Sequence, residues 1–508
     1  MKRWGKIVLA GAIVANLGIL VLTIGFFAYF YKFMAARAPG QVKVLIEEIR
    51  ERGEPVTPEE FEAWYPDLPP EANGAPAYER AFEALRILET EEETPLERLR
   101  RDRYVVGDPS RAPLPPEDAA CIETLLADNA EALALLHEAA RNPQCRYVTD
   151  YSEGIGSDVL VPLDSLRSAS RLLMQQAVWA ADRGNTQAAF AALLDQAALS
   201  RSLTLEPTFT PQMLRGAILD NALWGMAYLL QRRALTPAQS AALSEALEQC
   251  ASPECLYRGF LYERTEQLQV FAKIEGRPVW EWSPRSSKGL RDSLWAWRCA
   301  SLLRAELTIA RECVKAARLP FPQALRAVGA IRVEHDAGWR SLLRGYGSGV
   351  YMANYQLLFD RAAANPAQLR CIGTTLAIER YRNEHGTLPD TLDALVPPFL
   401  DAVPIDPFDG APLRYERLPA GYKVYTIWYN GVDDGGEPPG EGEDRRGLCR
   451  RDSAIEGPCG GLRLRRSPVT LAQNDSAPTF PAFESIVAGI AIGTQRNGRR
   501  KKARQRAS

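Results

Sequence analysis

The chain has 508 residues, 46% of them hydrophobic, and a formal net charge of -2 at pH 7. This length is enough for two or more folded units, and the composition is typical of a globular protein with one apolar segment. The near-neutral charge gives no general attraction to nucleic acid, so we expect no specific nucleic-acid binding.

The N-terminal segment has the pattern of a membrane anchor. Residues 1–6 carry Lys2, Arg3 and Lys6, and residues 7–31 contain no charged side chain. A helix of that length measures about 37 Å, enough to cross a bilayer core of about 30 Å. The small-residue motif at 36–38 runs directly into a proline, which favours a retained signal anchor over a cleaved signal peptide.

The anchor also predicts a location. The positive N-terminus favours cytoplasmic residues 1–6, a transmembrane helix over 7–31, and an extracytoplasmic bulk at the cell membrane. The lipid bilayer is therefore one expected partner.

Residues 41–365 predict helix after helix, so the fold class is mainly α. Thr57 and Thr236 each precede a proline and begin a capping motif, which marks the start of a helix. The glycine at 184 separates two apolar helical patterns in a turn similar to that of a tetratricopeptide hairpin. Because no fixed period recurs, the sequence favours an irregular multi-helix domain over a solenoid.

Aromatic and basic side chains gather between residues 260 and 297. Two interpretations remain open: a groove for a carbohydrate or peptide, and core tryptophans surrounded by arginines whose charged ends reach solvent. The residues concerned are Arg277, Trp280, Trp282, Arg285, Lys288, Trp295 and Trp297.

The sequence assigns no catalytic residue. It has three histidines, and neither a phosphate-binding loop nor a Gly-x-Ser-x-Gly elbow occurs. His385 ends a predicted helix, where it is expected to serve the last carbonyl groups. Glu263 and Glu266 lie one helical turn apart and are expected to be solvated.

The nine cysteines are irregularly spaced, which suggests neither a zinc site nor a dense disulfide framework. If the bulk is exported, Cys250 with Cys255 and Cys449 with Cys459 are near enough in sequence to bridge. Buried free thiols are the alternative for the rest.

Residues 366–436 predict a small α+β module. A helix from about Pro366 to His385 ends at Gly386, and a short helical turn precedes a proline-rich turn over 404–412. Residues 413–417 and 422–427 alternate apolar with charged side chains, which predicts a hairpin.

Ten residues of this module stand in the order of a known motif: Tyr381, Gly386, Pro389, Pro404, Asp406, Pro407, Phe408, Gly410, Tyr415 and Tyr425. At these residues the module resembles the C-terminal domain of the major, G-type pseudopilin of type II secretion. It is also similar to modules of membrane-anchored helical chains in planctomycete-type bacteria. Val403 stands where the family has Leu, and the anchor lacks the family's Gly-Phe-Thr-Leu-Ile-Glu processing site, so no processing into a pilus is implied.

The resemblance implies that the final loop binds calcium through Asn430, Asp433 and Asp434. Short Asp/Asn/Gly loops supply the oxygen ligands that this cation requires. However, Asn430 stands where the family commonly has Asp, and Trp428 where it commonly has Gly. A solvated turn without metal is the alternative interpretation.

Residues 437–508 are rich in proline, glycine and charge and end in a strongly basic stretch, which predicts a disordered basic tail. The leading interpretation of the whole chain is a non-enzymatic scaffold or interaction protein of the bacterial envelope. A link to type II secretion-like assembly would give it envelope or secretion proteins as partners. The alternative is an envelope hydrolase that acts on polysaccharide or peptide through the helical domain.

Overall fold

A computed structural model gives the structure of the chain. It describes residues 17–26, 29, 40–86, 114–148, 150–152, 161–232, 235–252, 254–276, 278–279, 290–331, 348–418, 421–427, 431–433, 435–436 and 461–465.

The fold is mainly helical, as predicted, with one small sheet near the C-terminal end of the described chain. Short 3-10 helices lie at Pro70–Ala72 and Leu392–Leu395. The α-helices are α1 (40–51), α2 (Pro58–Trp64), α3 (Ala75–Glu83), α4 (Pro116–Asp128), α5 (Ala130–Ala139), α6 (Leu163–Asp182), α7 (Thr186–Arg201), α8 (Phe209–Arg232), α9 (Pro237–Cys250), α10 (Glu254–Glu275), α11 (Leu290–Ala317), α12 (Gln323–Ala330) and α13 (Ser348–His385).

Helices α6, α7 and α8 pack against one another, and the predicted hairpin between α6 and α7 is confirmed. Gly184 adopts a φ of 79°, and the Asn185 side chain accepts a hydrogen bond from the Ala188 N–H at 3.1 Å. This Gly-Asn pair ends one helix and caps the next. The predicted caps at Thr57 and Thr236 are also present, and Thr236 forms the complete capping box.

A buried ion pair ties the segment after α1 to the middle of α10. Arg264 is fully buried, and its Nη1 donates to Glu54 Oε2 at 2.7 Å. Its Nη2 donates to the Pro55 carbonyl at 3.0 Å. Because breaking a buried pair leaves an uncompensated charge, this contact fixes the register of α1 on the helical body.

Helix α13 begins earlier than the sequence predicts. It runs unbroken from Ser348 to His385, with Pro366 inside it, so the predicted start at Pro366 is wrong. An interior proline costs a helix about 3 kcal/mol. Buried side chains on both sides of it, including Phe359 and Ile372, offset this cost because they pack into the core.

The sheet has three antiparallel strands in the order β1 (Arg414–Leu418), β2 (Gly421–Tyr425) and β3 (Gly461–Arg465). Strands β1 and β2 form the predicted hairpin, with Tyr415 opposite Val424. Strand β3 lies inside the segment predicted as a disordered tail, and that prediction is wrong for residues 461–465. Its backbone pairs with the free side of β2, which the hairpin alone would leave open.

One hydrophobic core joins the helical layers to the α+β module. It combines side chains of α6 to α9 with the second half of α13 and with Leu413, Tyr422 and Val424 of the module. Tyr422 and Val424 are fully buried in this core. The sheet is therefore packed onto the helical body.

Residues 17–26 are helical, and their apolar side chains are exposed. Within the described part of the chain, no helix combines the length and the apolar character that a membrane crossing requires. The predicted span over residues 7–31 lies largely outside the described residues, so it stays a prediction.

Cys250 and Cys255 are both buried free thiols, so the bridge between them is not formed. The Cys250 thiol points to the Ala197 carbonyl at 3.6 Å, and that of Cys255 donates to Ser252 Oγ at 2.9 Å. The two side chains thus have separate partners. Cys449 and Cys459 lie outside the described residues.

Candidate functional site

The proline-rich turn is organised around the carboxylate of Asp406, which is fully buried. Its Oδ1 accepts a hydrogen bond from the Phe408 N–H at 2.9 Å, and its Oδ2 accepts one from the Ile427 N–H at 2.9 Å. One side chain therefore fixes the turn and joins it to the end of β2. Gly410 allows the turn to close because it adopts a φ of 83°.

Arg414, at the start of β1, connects three aspartates of this region. Its Nη1 donates to Asp406 Oδ2 at 2.7 Å, and its Nη2 donates to Asp409 Oδ2. Its Nε lies 3.7 Å from Asp433 Oδ2. The arginine thereby links the turn to the loop that follows β2.

In this cluster, burial and the neighbouring charges shift the pKa values of the side chains in opposite directions. Burial raises the pKa of Asp406, although two backbone N–H groups and Arg414 oppose it. At Asp409 burial also works to raise the pKa, but Arg414 and the backbone N–H groups that Asp409 binds together outweigh it, and the pKa is lowered. The pKa of Arg414 is raised, because the carboxylates of Asp409, Asp406 and Asp433 together outweigh its own burial. Asp409 and Arg414 therefore favour their charged forms, whereas burial disfavours the charged form of Asp406.

Of the three predicted calcium ligands, the structure describes only Asp433. Its Oδ1 accepts a hydrogen bond from the Gly435 N–H at 3.0 Å. Asn430 and Asp434 lie outside the described residues, as does Trp428. Calcium binding by this set of residues therefore stays a prediction.

Several residues that carry the resemblance to pseudopilins have clear structural roles. Gly386 ends α13 with a φ of 75°, and the Tyr415 hydroxyl donates to the Pro389 carbonyl at 2.8 Å. Tyr381 stacks on His385 with ring centroids 4.1 Å apart. His385 Nδ1 lies 3.0 Å from the Tyr381 carbonyl, in agreement with its expected role at the helix end.

A second polar cluster lies between α10 and α11 and was not predicted. Glu263 and Glu266, expected in solvent, are instead half-buried and buried, and Glu306 of α11 is only 7% exposed. Burial, followed by the charge of Glu263, raises the pKa of Glu306 to about 7. Among the described residues, Glu306 Oε2 has no hydrogen-bond partner.

The sequence hides this cluster because α10 has no simple apolar stripe. Its buried positions mix apolar residues such as Leu261 and Leu268 with Arg264, Thr265 and Glu266. Periodicity therefore gives no indication that charged residues face the interior. Most of the aromatic and basic residues between 277 and 297 fall outside the described side chains.

His137 of α5 is the one histidine of the described part paired with a carboxylate. Its Nδ1 lies 3.1 and 3.0 Å from the two oxygens of Asp195, which is largely buried. A carboxylate on Nδ1 orients an imidazole as in hydrolytic triads. No serine or cysteine of the described residues forms a hydrogen bond with His137, so this pair lacks a nucleophile there.

Comparisons of the chain with protein-family models, with curated proteins and with solved structures give no match. The fold and the two polar clusters therefore define the protein only as a mainly helical body that carries a small three-stranded sheet.

Proposed function

We propose that this protein is a membrane-anchored scaffold or interaction protein of the bacterial envelope, with its bulk outside the cytoplasm. The observation that carries the proposal is the helix at residues 17–26. Its apolar side chains, including Leu20, Leu22 and Ile24, are each more than half exposed. A helix that is apolar on all sides requires an apolar surrounding, and the helical body does not supply one here.

The α+β module supports the second part of the proposal. Its helix, turn and hairpin follow the order of the pseudopilin motif, and matched residues such as Asp406, Gly410 and Tyr415 hold the turn and the hairpin together. A module of this kind on an anchored helical body suits a link to type II secretion-like assembly. Envelope or secretion proteins are the proposed partners.

The anchor is tested by membrane extraction of the full-length chain expressed in a bacterium. Wild-type protein should resist extraction by alkaline carbonate, whereas Leu20→Arg/Ile24→Arg should be released, since each buried arginine costs about 2.5–3.5 kcal/mol in a bilayer. The matched control is Val270→Arg/Leu319→Arg, which changes two exposed apolar residues of the helical body and should leave the protein in the membrane.

Orientation is read from the same cells. Protease added to spheroplasts should degrade the helical body of the wild-type protein if that body lies outside. A wild-type protein that carbonate extracts, or a body that stays protected in intact spheroplasts, would refute the proposal.

A second candidate function, hydrolysis of an envelope polysaccharide, is favoured by one observation. Burial, together with the charge of Glu263, raises the pKa of Glu306 to about 7. Glycosidases use such carboxyl pairs, with the raised pKa on the general acid. Wild-type protein should then release soluble fragments from purified peptidoglycan. The Glu306→Gln variant should release them at least about 100-fold more slowly. The control, Glu248→Gln at an exposed site, should keep the wild-type rate.

A further inference from the structure

The loop that follows β2 is connected to the turn before β1 by a positive charge that the chain itself supplies. Arg414 contacts Asp406, Asp409 and Asp433, which belong to the turn before β1 and to the loop after β2. We infer that Arg414 is the built-in cation of this acidic cluster and that it, rather than calcium, neutralises Asp433, the one predicted calcium ligand that the structure describes. The inference does not depend on the proposed function.

The six oxygens of these carboxylates each have a nitrogen partner. Asp406 binds the backbone of Phe408 and Ile427 and the guanidinium, and Asp409 binds the Ala411 N–H at 2.9 Å and the guanidinium. Asp433 accepts from the Gly435 N–H and faces the guanidinium. The structure thus leaves none of these oxygens without a donor or a cation.

A calcium ion does not fit the described part of this arrangement. It needs six to eight oxygen ligands at about 2.3–2.6 Å. Asp433, the one described member of the predicted ligand set, already faces Arg414, and so do the carboxylates of Asp406 and Asp409. A divalent cation held by the same oxygens would also lie next to the guanidinium and be repelled by it. The planar guanidinium, in contrast, matches two carboxylates at once through its separate N–H groups.

The geometry also explains why a cation is needed at all. Without Arg414, the carboxylates of Asp406 and Asp409 would face each other across a turn that is closed at Gly410. Asp433 would lose its charged partner among the described residues, and the loop at 431–436 would lose its connection to the turn. Like charges so close together disfavour the closed loop.

The experiment compares thermal melting of the full chain in detergent, in excess EGTA and in millimolar calcium. Wild-type protein should melt at the same temperature in EGTA and in calcium. In EGTA, Arg414→Gln should melt several degrees below wild type. Arg414→Lys should melt at a temperature between those of wild type and Arg414→Gln, because lysine keeps the charge but lacks the paired N–H donors. The matched control is Arg417→Gln on the same strand, which removes an exposed arginine paired with Asp390.

Three results would overturn the inference. One is a wild-type melting temperature that rises with calcium, a measurement that needs no variant. Another is an Arg414→Gln protein that melts no lower than the Arg417→Gln control. The third is an Arg414→Lys protein no more stable than Arg414→Gln, including the case in which neither folds, since positive charge would then not be what holds the loop.

Discussion

At the scale of single residues, Glu306 links burial to a measurable dependence on pH. The ordinary pKa of a glutamate, 4.5, is raised to about 7 at this position. Between these two values the folded protein keeps a proton that the unfolded chain has released. Stability therefore falls as pH rises through this window, by an amount on the order of 3 kcal/mol for this group alone.

Replacing Glu306 with glutamine should remove this dependence. The neutral amide has nearly the same shape, so we expect Glu306→Gln to be more stable than wild type at pH 8, by roughly 2–3 kcal/mol, and similar at pH 4.5. Urea unfolding at a series of pH values, followed by circular dichroism, gives the comparison. Glu248→Gln, an exposed change, is the control. Equal pH profiles for Glu306→Gln and wild type would show that Glu306 does not carry the effect.

Residue patterns in the sequence identify turn residues better than they identify interior charges. Asp406, Gly386 and Gly410 belong to a recognisable motif, and the structure gives each a local reason to be there. The sequence pattern indicates Arg414 only as a charged residue of a strand, because its three partners lie outside that strand, in the turn before it and the loop after β2, and meet it only in the folded chain. Glu306 was missed for the same reason.

At the scale of elements, close packing of α10 makes Gly259 necessary. A Cβ at Gly259 would lie 2.6 Å from Cε1 of the Phe209 ring and 3.3 Å from the Pro207 carbonyl oxygen. A ring and a backbone group cannot easily move aside. Helix α10 can therefore approach Pro207 and Phe209 this closely only because residue 259 has no side chain.

Two glycine-to-alanine changes in helix interiors test this point. Gly259→Ala should destabilise the protein by about 1–3 kcal/mol through overpacking. Gly373→Ala in α13 meets no atom within 4 Å and should stabilise it by about 0.5–1 kcal/mol through helix propensity. Chemical denaturation at one pH measures both. The argument fails if Gly259→Ala is as stable as Gly373→Ala.

Helices and hairpins were predictable as elements where apolar spacing and caps agree, as in α6, α7 and the β1–β2 hairpin. The start of α13 was not, because proline is a strong local signal for a boundary and only tertiary packing overrides it. Strand β3 was not predicted either, since its short segment lies among residues whose composition is typical of a tail.

At the scale of the whole molecule, the α+β module and the helical layers share one core. Leu413 and Tyr422 belong to the same cluster as Leu193 of α7 and Leu223 of α8. Sequence patterns show which side of an element is apolar but not which other element covers it. This is why the sequence suggested a module added to a helical domain, whereas the structure shows a joint interior.

The shared core predicts joint unfolding of the sheet and the helices. Leu413→Ala should destabilise the protein by about 2–5 kcal/mol, and helical circular dichroism and tryptophan fluorescence should shift together on heating. Leu319→Ala, at an exposed site, should change little. The tryptophan fluorescence of Leu413→Ala could instead change at a lower temperature while helical circular dichroism kept its wild-type transition. The sheet and the helices would then be separate cooperative units.

The unbroken helix α13 has a mechanical consequence. Its 38 residues form a rod about 57 Å long. Tyr355 and Phe359 fix its first half in one hydrophobic cluster, and Ile372 and Leu376 fix its second half in another. The sheet packs in the cluster that holds the second half of α13. A force that displaces the sheet is therefore transmitted along the helix axis to the cluster that holds the first half.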